Sequence, residues 1–366
     1  MLINIAQPLI GEDELRNVRQ VLESGQLAAG ALVRQLEREF AGMVGVKHAV
    51  ATSSGTTALQ TAVRAVGLAR GDMVITTPFS FVASTNALLD VGAVPFYVDV
   101  DPQTYNLAPE AVEQALRRFP GVRAILAVHL YGLPFDSRLI AISQQWGVTL
   151  IEDAAQAHGA AIGECPVGSL GEIAAFSFYP TKNMTTAEGG MVTTNDPNLA
   201  ERARLIANQG QQARYEYACL GFNYRMTELQ AAIGLPQLQQ LSTRNRRRAE
   251  IAAFYLQHLP RELCLPFTPS GHLHVYHQFT LRSKHRSRLM TALAREGIAT
   301  AVHYPRLISQ ELYLQAYPHL SEPCPQAEQI VQQVFSIPVH PGLSDAQAST
   351  VVAVLNREWE LIKRGN

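Results

Sequence analysis

The stretch IEDAAQAHGAAIGECPVGSLGEIAAFSFYPTKNMTTAEGGM, residues 151–191, places a carboxylate and an amine at the ends of two apolar runs. The first run, VTLIED, predicts a buried strand that ends at Asp153. The second run, IAAFSF, predicts a strand whose exit loop carries Lys182. Because parallel strands present their carboxyl ends at one edge of a sheet, the two side chains can meet over a single flat ligand.

Pyridoxal phosphate (PLP) is a flat cofactor that needs this pair of groups. A lysine forms a Schiff base with its aldehyde, and an aspartate keeps the pyridine nitrogen protonated so that the ring can accept electrons. A buried amine beside a cationic ring also loses its proton more easily, as such a lysine must. Spacing alone leaves simpler interpretations open, because Lys182 could be a solvated loop residue and Asp153 a helix cap.

Around this stretch, apolar strands alternate with amphipathic helices from about residue 47 to residue 208. This pattern predicts an α/β fold with a mostly parallel seven-stranded sheet sandwiched by helices. The composition changes after about residue 241, where one long helix is followed by the pattern of a smaller α+β domain. We therefore predict a large domain at 1–240, including an N-terminal arm, and a small C-terminal domain at 241–366. The seven candidate strands are HAVAT (48–52), DMVITT (72–77), VPFYVDV (94–100), VRAILAVH (122–129), VTLIED (148–153), IAAFSF (173–178) and GMVTT (190–194).

Composition excludes several classes of partner. Of the 366 residues 47% are hydrophobic, which is enough for a large core, and the net charge of −1 gives no positive field to hold nucleic acid or an anionic membrane. No signal peptide and no run of about 18 apolar residues is apparent. The four cysteines are scattered without zinc spacing, so we predict no metal site and reduced thiols in a cytoplasmic protein. They are Cys165, Cys219, Cys264 and Cys324.

Three ordered motifs within about 45 residues make the interpretation specific: EDAAQAHGA (152–160), GSLGEIAAFSFYPTKN (168–183) and EGGMVTTN (188–195). They resemble the signature of the DegT/DnrJ/EryC1/StrS family of PLP-dependent sugar aminotransferases. The resemblance extends from IAQPLIGEDE (5–14) to SIPVHPGLSD (336–345). It implies PLP fold type I, like that of aspartate aminotransferase, with Lys182 and Asp153 as catalytic residues. It also implies an obligate homodimer with shared active sites.

The cofactor residues come partly from the sequence pattern and partly from this resemblance. Ser54-Gly55-Thr56 opens a predicted helix, whose N–H groups and dipole can hold a phosphate, although an isolated Ser-Gly-Thr is more often a plain helix cap. The resemblance adds four residues. They are Ser177 as a second phosphate ligand, Phe81 stacked on the ring, Gln156 as a donor to the phenolic oxygen, and Asn223, which reaches the partner's cofactor phosphate.

Substrate contacts follow from the resemblance alone, and for several of them core packing or a solvated loop is an equal alternative. The candidates are Tyr131, Thr185, Glu188, Arg225, His303 and Tyr304. Two departures from the family pattern bear on the site. Leu27 to Ala31 replace a usual Thr followed by Gly-Pro, and Ala187 replaces a Gly, so that its loop must adjust if that residue needs a positive φ.

The predicted function is an aminotransferase that moves an amino group from L-glutamate to a nucleotide-linked keto sugar, such as a 3- or 4-keto-6-deoxyhexose. Such an enzyme would act in polysaccharide or secondary-metabolite amino-sugar biosynthesis. A keto-cyclitol aminotransferase stays open as an alternative. The family's sugar 3-dehydratases have His in place of the lysine, so Lys182 argues against them. A non-catalytic PLP-binding regulator would need a DNA-binding module, and no helix-turn-helix pattern stands out.

Overall fold

An eight-stranded sheet lies at the centre of the computed structural model, which describes residues 2–365. Its spatial order is β1-β7-β6-β5-β4-β2-β3-β8. Only β7 runs antiparallel to its neighbours, and the other pairs are parallel. The strands are β1 (His48–Thr52), β2 (Met73–Thr76), β3 (Val94–Tyr97), β4 (Val122–Val128), β5 (Thr149–Asp153), β6 (Ile173–Ser177), β7 (Gly190–Thr194) and β8 (Leu320–Ser321).

All seven predicted strands are therefore confirmed, but the predicted strand number is wrong by one. The eighth strand, β8, comes from the C-terminal part of the chain and adds only two residues beside β3. A pairing this short leaves no periodic pattern of apolar residues in the sequence.

Helices cover both faces of this sheet, as the alternation predicts. Within β4, Ala124 and Leu126 pack on one face with α3, α4 and α7, whereas Ile125 and Ala127 pack on the other with α5 and α6. Glycine in the left-handed conformation ends α1, because Gly25 has φ 68°. The helices are α1 (Glu12–Ser24), α2 (Ala31–Val44), α3 (Gly55–Ala65), α4 (Ala83–Leu89), α5 (Pro109–Arg118), α6 (Arg138–Trp146) and α7 (Pro197–Ala207).

The C-terminal part builds a second core around the long helix α8 (Glu228–His258). A two-stranded antiparallel sheet, Phe279–Arg282 with Val334–Ile337, packs there with α9 (Arg286–Arg295) and α11 (Asp345–Lys363). The short helix α10 (Pro325–Val331) packs instead on the main core. The division at residue 240 stays a prediction, since α8 crosses it. Within the described residues, no helix combines the length and apolarity needed to cross a bilayer.

The outer edge of β1 is closed by two charged side chains. Glu37 of α2 accepts a hydrogen bond from the N–H of Ala51 at 2.9 Å. Arg204 of α7 donates to the carbonyl oxygen of Ala49 at 3.2 Å. These bonds satisfy backbone groups that would otherwise be free to pair with another strand.

Candidate active site

Several of the predicted cofactor residues lie at the carboxyl edge of the sheet. Asp153 is the last residue of β5 and Ser177 the last of β6, which are adjacent parallel strands. Ser54 follows β1, and its carbonyl oxygen lies against the start of β7, close to Gly190. The topology thus brings together side chains that are more than a hundred residues apart in the chain, as expected for an open α/β sheet.

Helix α3 begins at this edge with a cap that leaves backbone donors free. The Ser54 hydroxyl accepts from the N–H of Thr57 at 3.1 Å, and the Thr57 hydroxyl accepts from the N–H of Ser54 at 2.9 Å. The N–H groups of Gly55 and Thr56 have no intrahelical acceptor, because they lie in the first turn. Ser54 is therefore the helix cap that its sequence suggests, and the two following N–H groups are free to bind an anion.

Gly55 allows this helix to touch the end of β6. A Cβ atom at Gly55 would lie 2.5 Å from the Cβ and 2.8 Å from the Oγ of Ser177. Both distances are far below ordinary contact, so only glycine allows this approach. The Ser177 hydroxyl consequently lies beside the first turn of α3, and together they form one polar cradle.

Asp153 is buried, with 4% of its surface exposed, and both of its carboxylate oxygens are hydrogen-bonded. Oδ2 accepts from the Ser84 hydroxyl at 2.6 Å, and Oδ1 accepts from the N–H of Ala155 at 3.2 Å. Burial raises the pKa of this carboxyl group above its usual value, and the two hydrogen bonds and the nearby Lys182 ammonium offset only part of that rise.

Lys182 lies close enough to Asp153 for their charges to interact. Burial lowers the pKa of the Lys182 amine to about 8, and the Asp153 carboxylate opposes that shift. A lowered pKa gives the amine a larger neutral fraction near pH 7, and only the neutral form can attack a carbonyl or accept a proton. The two groups that the sequence pairs therefore lie within electrostatic range of each other, with the carboxylate buried and the pKa of the amine lowered.

The loop that carries Lys182 is fixed on both sides. The N–H of Phe178 donates to the carbonyl oxygen of Gly189 at 2.8 Å. The Asn183 amide donates to Asn245 of α8 at 2.8 Å and to the carbonyl oxygen of Val275 at 3.0 Å. The lysine is therefore held between the large sheet and the C-terminal part of the chain.

Ala187 and the two threonines before it also shape this loop. Ala187 adopts φ 68°, so the residue that replaces the family's Gly keeps the left-handed conformation. The Thr185 hydroxyl donates to the carbonyl oxygen of Phe178 at 2.9 Å, and the Thr186 hydroxyl donates to that of Glu188 at 2.5 Å. Both threonines are buried, which contradicts the solvated-loop alternative.

Aromatic side chains line one side of the site. The Phe81 ring is 55% exposed, and its centroid lies 5.9 Å from that of Tyr304. Gln156 accepts from the N–H of Tyr131 at 2.6 Å and donates to the Tyr304 hydroxyl at 2.9 Å. The Tyr131 hydroxyl donates to the carbonyl oxygen of His303. These contacts join the large sheet to the segment that carries His303 and Tyr304.

Three other predicted residues lie on the surface of the single chain. Asn223, Arg225 and Glu188 are exposed, and no hydrogen bond links them to Asp153 or Lys182. The Arg225 guanidinium donates to the Asn208 side chain at 3.0 Å. The backbone at Tyr224 nevertheless lies next to the polar cradle, because the N–H of Ser53 donates to the carbonyl oxygen of Tyr224 at 2.7 Å.

The structure adds two residues that are not among the predicted site residues. Ser84 binds Asp153, and the signal was a hydroxyl one helical turn after Phe81. His277 is buried near Lys182, and its Nδ1 is a buried atom that has no hydrogen-bond partner within residues 2–365. Burial, and then the charge of Lys182, hold its pKa well below the usual range, so His277 is neutral.

These groups fit pyridoxal phosphate. A phosphate matches the free N–H groups of Gly55 and Thr56 and the hydroxyl of Ser177. A protonated pyridine nitrogen matches the buried Asp153 carboxylate. An aldehyde matches Lys182. The exposed ring of Phe81 offers a flat apolar surface that a bound ring would cover.

Comparisons with known proteins agree with this geometry. The model of the DegT/DnrJ/EryC1/StrS aminotransferase family matches residues 8–356. The chain is 40% identical, over 94% of both chains, to UDP-N-acetyl-3-dehydro-alpha-D-glucosamine 3-aminotransferase of Acidithiobacillus ferrooxidans. It is 37% identical, over 92% of both chains, to a pleiotropic regulatory protein of Geobacillus stearothermophilus. The crystal structure of DesV from S. venezuelae matches with a TM-score of 0.90 and 38% identity, over 94% of both chains. The chain therefore belongs to the DegT/DnrJ/EryC1/StrS family and is a PLP-dependent aminotransferase.

Proposed function

We propose that this aminotransferase transfers an amino group from L-glutamate to a nucleotide-linked keto sugar. The observation that carries the proposal is the 40% identity, over 94% of both chains, to an enzyme named for a UDP-linked 3-keto sugar. A second support is that the buried Asp153 carboxylate and the Lys182 amine, whose pKa burial lowers to about 8, lie within electrostatic range of each other. A UDP-linked 3-keto sugar is thus the first acceptor to test, with 4-keto-6-deoxyhexoses and keto-cyclitols as the alternatives.

The residues of the chain divide the work of the reaction. PLP, when bound, supplies an electron sink next to the amino group being transferred. The Lys182 amine takes the proton from Cα of the amino donor and returns a proton to the carbon that receives the amine. Asp153 keeps a proton on the ring nitrogen, and Ser177 with the first turn of α3 holds the phosphate. Because one site serves both half-reactions, ping-pong kinetics are expected.

The substrate-facing residues and the assembly are part of the same proposal. Tyr304 lies beside the exposed ring of Phe81, and His303 lies next to Tyr304, which supports a role for both near the bound sugar. Asn223 and Arg225 are exposed on the single chain, as residues that serve a partner's site would be. Tyr131, Thr185 and Glu188 complete the proposed set. We further propose a cytoplasmic homodimer in which each chain completes the other's site.

The test is a direct assay of the purified, PLP-loaded enzyme. It is incubated with ¹⁵N-labelled glutamate and, separately, a UDP-linked 3-keto sugar, a nucleotide-linked 4-keto-6-deoxyhexose and a keto-cyclitol. Mass spectrometry should find the label in the amino product of the UDP-linked 3-keto sugar. The Lys182→Ala variant, as the control, should give no product and no borohydride-stable adduct with the cofactor. Label in the cyclitol product alone would overturn the sugar assignment.

A regulatory role is the second candidate, because one relative at 37% identity is named a pleiotropic regulatory protein. A regulator without turnover would bind PLP yet fail to exchange its amino group. The first half-reaction separates the two functions. Glutamate should shift the absorbance of the bound cofactor toward that of pyridoxamine phosphate, and the absence of any shift with every amino acid tested would favour the regulatory role.

A further inference from the structure

We propose that Ser84 is a positioning residue for Asp153, and that its hydroxyl group fixes the orientation of this carboxylate toward the cofactor's ring nitrogen and favours its ionised form. The proposal depends on PLP as the cofactor and not on the identity of the keto acceptor.

The contact between the two residues is short and completely enclosed. Ser84 lies in α4 with 1% of its surface exposed, and its Oγ lies 2.6 Å from Oδ2 of Asp153. This distance is typical of a hydroxyl that donates to an ionised carboxylate. Such a hydrogen bond is about twice as strong as one between neutral groups. Oδ1 has only the N–H of Ala155, at 3.2 Å. The two oxygens therefore differ, and Ser84 prevents the carboxylate from rotating freely.

The hydrogen-bond order around Ser84 assigns its single proton to Asp153. Two other oxygens lie within 3.2 Å of its Oγ, the hydroxyl of Ser80 and the carbonyl oxygen of Phe81. The carbonyl oxygen is neutral and more distant than the carboxylate, so it is the weaker acceptor. Because the Ser84 proton is engaged by Asp153, the Ser80 hydroxyl must donate to Ser84. A chain of two donors thus ends on the buried carboxylate.

The same turn of chain holds the proposed stacking ring. The N–H of Ser84 donates to the carbonyl oxygen of Phe81 at 3.2 Å. The segment from Phe81 to Ser84 therefore sets both the aromatic surface and the carboxylate against a common frame. A cofactor that is seated on Phe81 meets an Asp153 whose orientation is fixed by the same turn.

Ser84 also opposes the effect of burial. Among the contributions that lower the pKa of Asp153, the Ser84 hydrogen bond is the largest, exceeding the Ala155 N–H and the Lys182 charge. Without it, the carboxyl group would hold its proton to a higher pH. A neutral acid cannot stabilise a protonated pyridine nitrogen, so PLP should bind more weakly.

The test uses Ser84→Ala in the full-length protein, with Thr85→Val as the matched control. Thr85 is the next residue of α4, is equally buried, and its hydroxyl pairs with Tyr97 instead of Asp153. Two readouts are measured on the apoenzyme. They are the dissociation constant for PLP across pH, and the infrared carboxylate band of Asp153, taken as the difference from Asp153→Asn.

Ser84→Ala should weaken PLP binding about tenfold and move the titration of the Asp153 band to higher pH. Thr85→Val should do neither, and Ser84→Thr, which keeps the hydroxyl, should restore both. If Ser84→Ala does not fold, Ser84→Cys replaces the strong donor by a weak one at similar volume and should show the same two shifts. An unchanged Asp153 titration in a folded Ser84 variant, or an equal shift in Thr85→Val, would overturn the proposal.

Discussion

Replacing Gly55 by Ala should distort the polar cradle formed by Ser177 and the first turn of α3, because the added Cβ atom clashes with Ser177. The new Cβ would lie 2.5 Å from Ser177 Cβ, whereas carbon atoms in good contact lie about 3.5–4.0 Å apart. The start of α3 and the end of β6 must therefore separate by roughly 1 Å. Overpacking of this kind costs about 1–3 kcal/mol, and the higher helix propensity of Ala returns up to about 1 kcal/mol. We expect the free energy of unfolding to fall by about 1–2 kcal/mol.

Cofactor binding should suffer as well, because the displaced N–H groups and the Ser177 hydroxyl no longer converge. We expect the dissociation constant for PLP to rise at least about tenfold, since hydrogen bonds weaken steeply with distance. Urea denaturation of the apoenzyme measures the first effect, and a PLP titration followed by absorbance measures the second. The matched control is Gly42→Ala in α2, where a Cβ would meet no atom within 4 Å. That variant should gain stability and bind PLP normally.

The outcome that refutes this reasoning is a Gly55→Ala protein that is as stable as the Gly42→Ala protein and binds PLP with unchanged affinity. A lost affinity with full stability would also count against it, since the clash would then not be the cause. Adding Ser177→Gly to Gly55→Ala removes the two closest atoms. It should recover part of the lost stability in the apoenzyme, which identifies the contact itself as the source.

Three further predictions concern Ala187, Glu228 and Lys182. Ala187→Gly should raise the melting temperature, because φ 68° is strained for Ala by about 1 kcal/mol. Glu228→Ala should lower the free energy of unfolding by about 2–3 kcal/mol in urea denaturation. The reason is that the buried Glu228 carboxylate accepts from the N–H groups of Gly30, Leu32 and Val33 at 2.9–3.0 Å. The control Glu262→Ala, which removes an exposed salt bridge, should change the free energy of unfolding little. Apoenzyme stability should rise between pH 8 and 10.5, by at most about 3 kcal/mol, because the unfolded chain then binds more protons than a folded chain whose Lys182 pKa is about 8. Lys182→Met should reduce this rise in the same pH series and leave the part that comes from Arg248, because burial lowers the pKa of that guanidinium to about 9.

The sequence was sufficient for features that repeat or that combine in order. Apolar runs at regular spacing predicted the seven long strands, and the order of Ser54, Asp153 and Lys182 along those strands predicted which ends would converge. The family resemblance then supplied residues such as Phe81 and Gln156, whose types alone are compatible with ordinary packing.

Features that depend on a single contact escaped prediction. Ser84 looks like any hydroxyl in a helix, and only its 2.6 Å approach to Asp153 gives it a role. The strand β8 has two residues and no periodicity. The hydroxyl of Thr185 could have faced solvent or a ligand, and its bond to the Phe178 carbonyl depends on how the loop closes. Such contacts are set by tertiary packing, which leaves no local signal.

The side-chain hydrogen bonds at the outer edge of β1 should affect how readily the chain aggregates during and after folding. Glu37 and Arg204 bond to backbone groups on the outer edge of β1, and the opposite edge strand has only two residues, so both borders of the sheet are poor templates for a strand from a neighbouring molecule. Variants that remove these two side chains are therefore expected to aggregate and to give a low yield of purified protein. The folded fraction of these variants should keep a normal turnover rate.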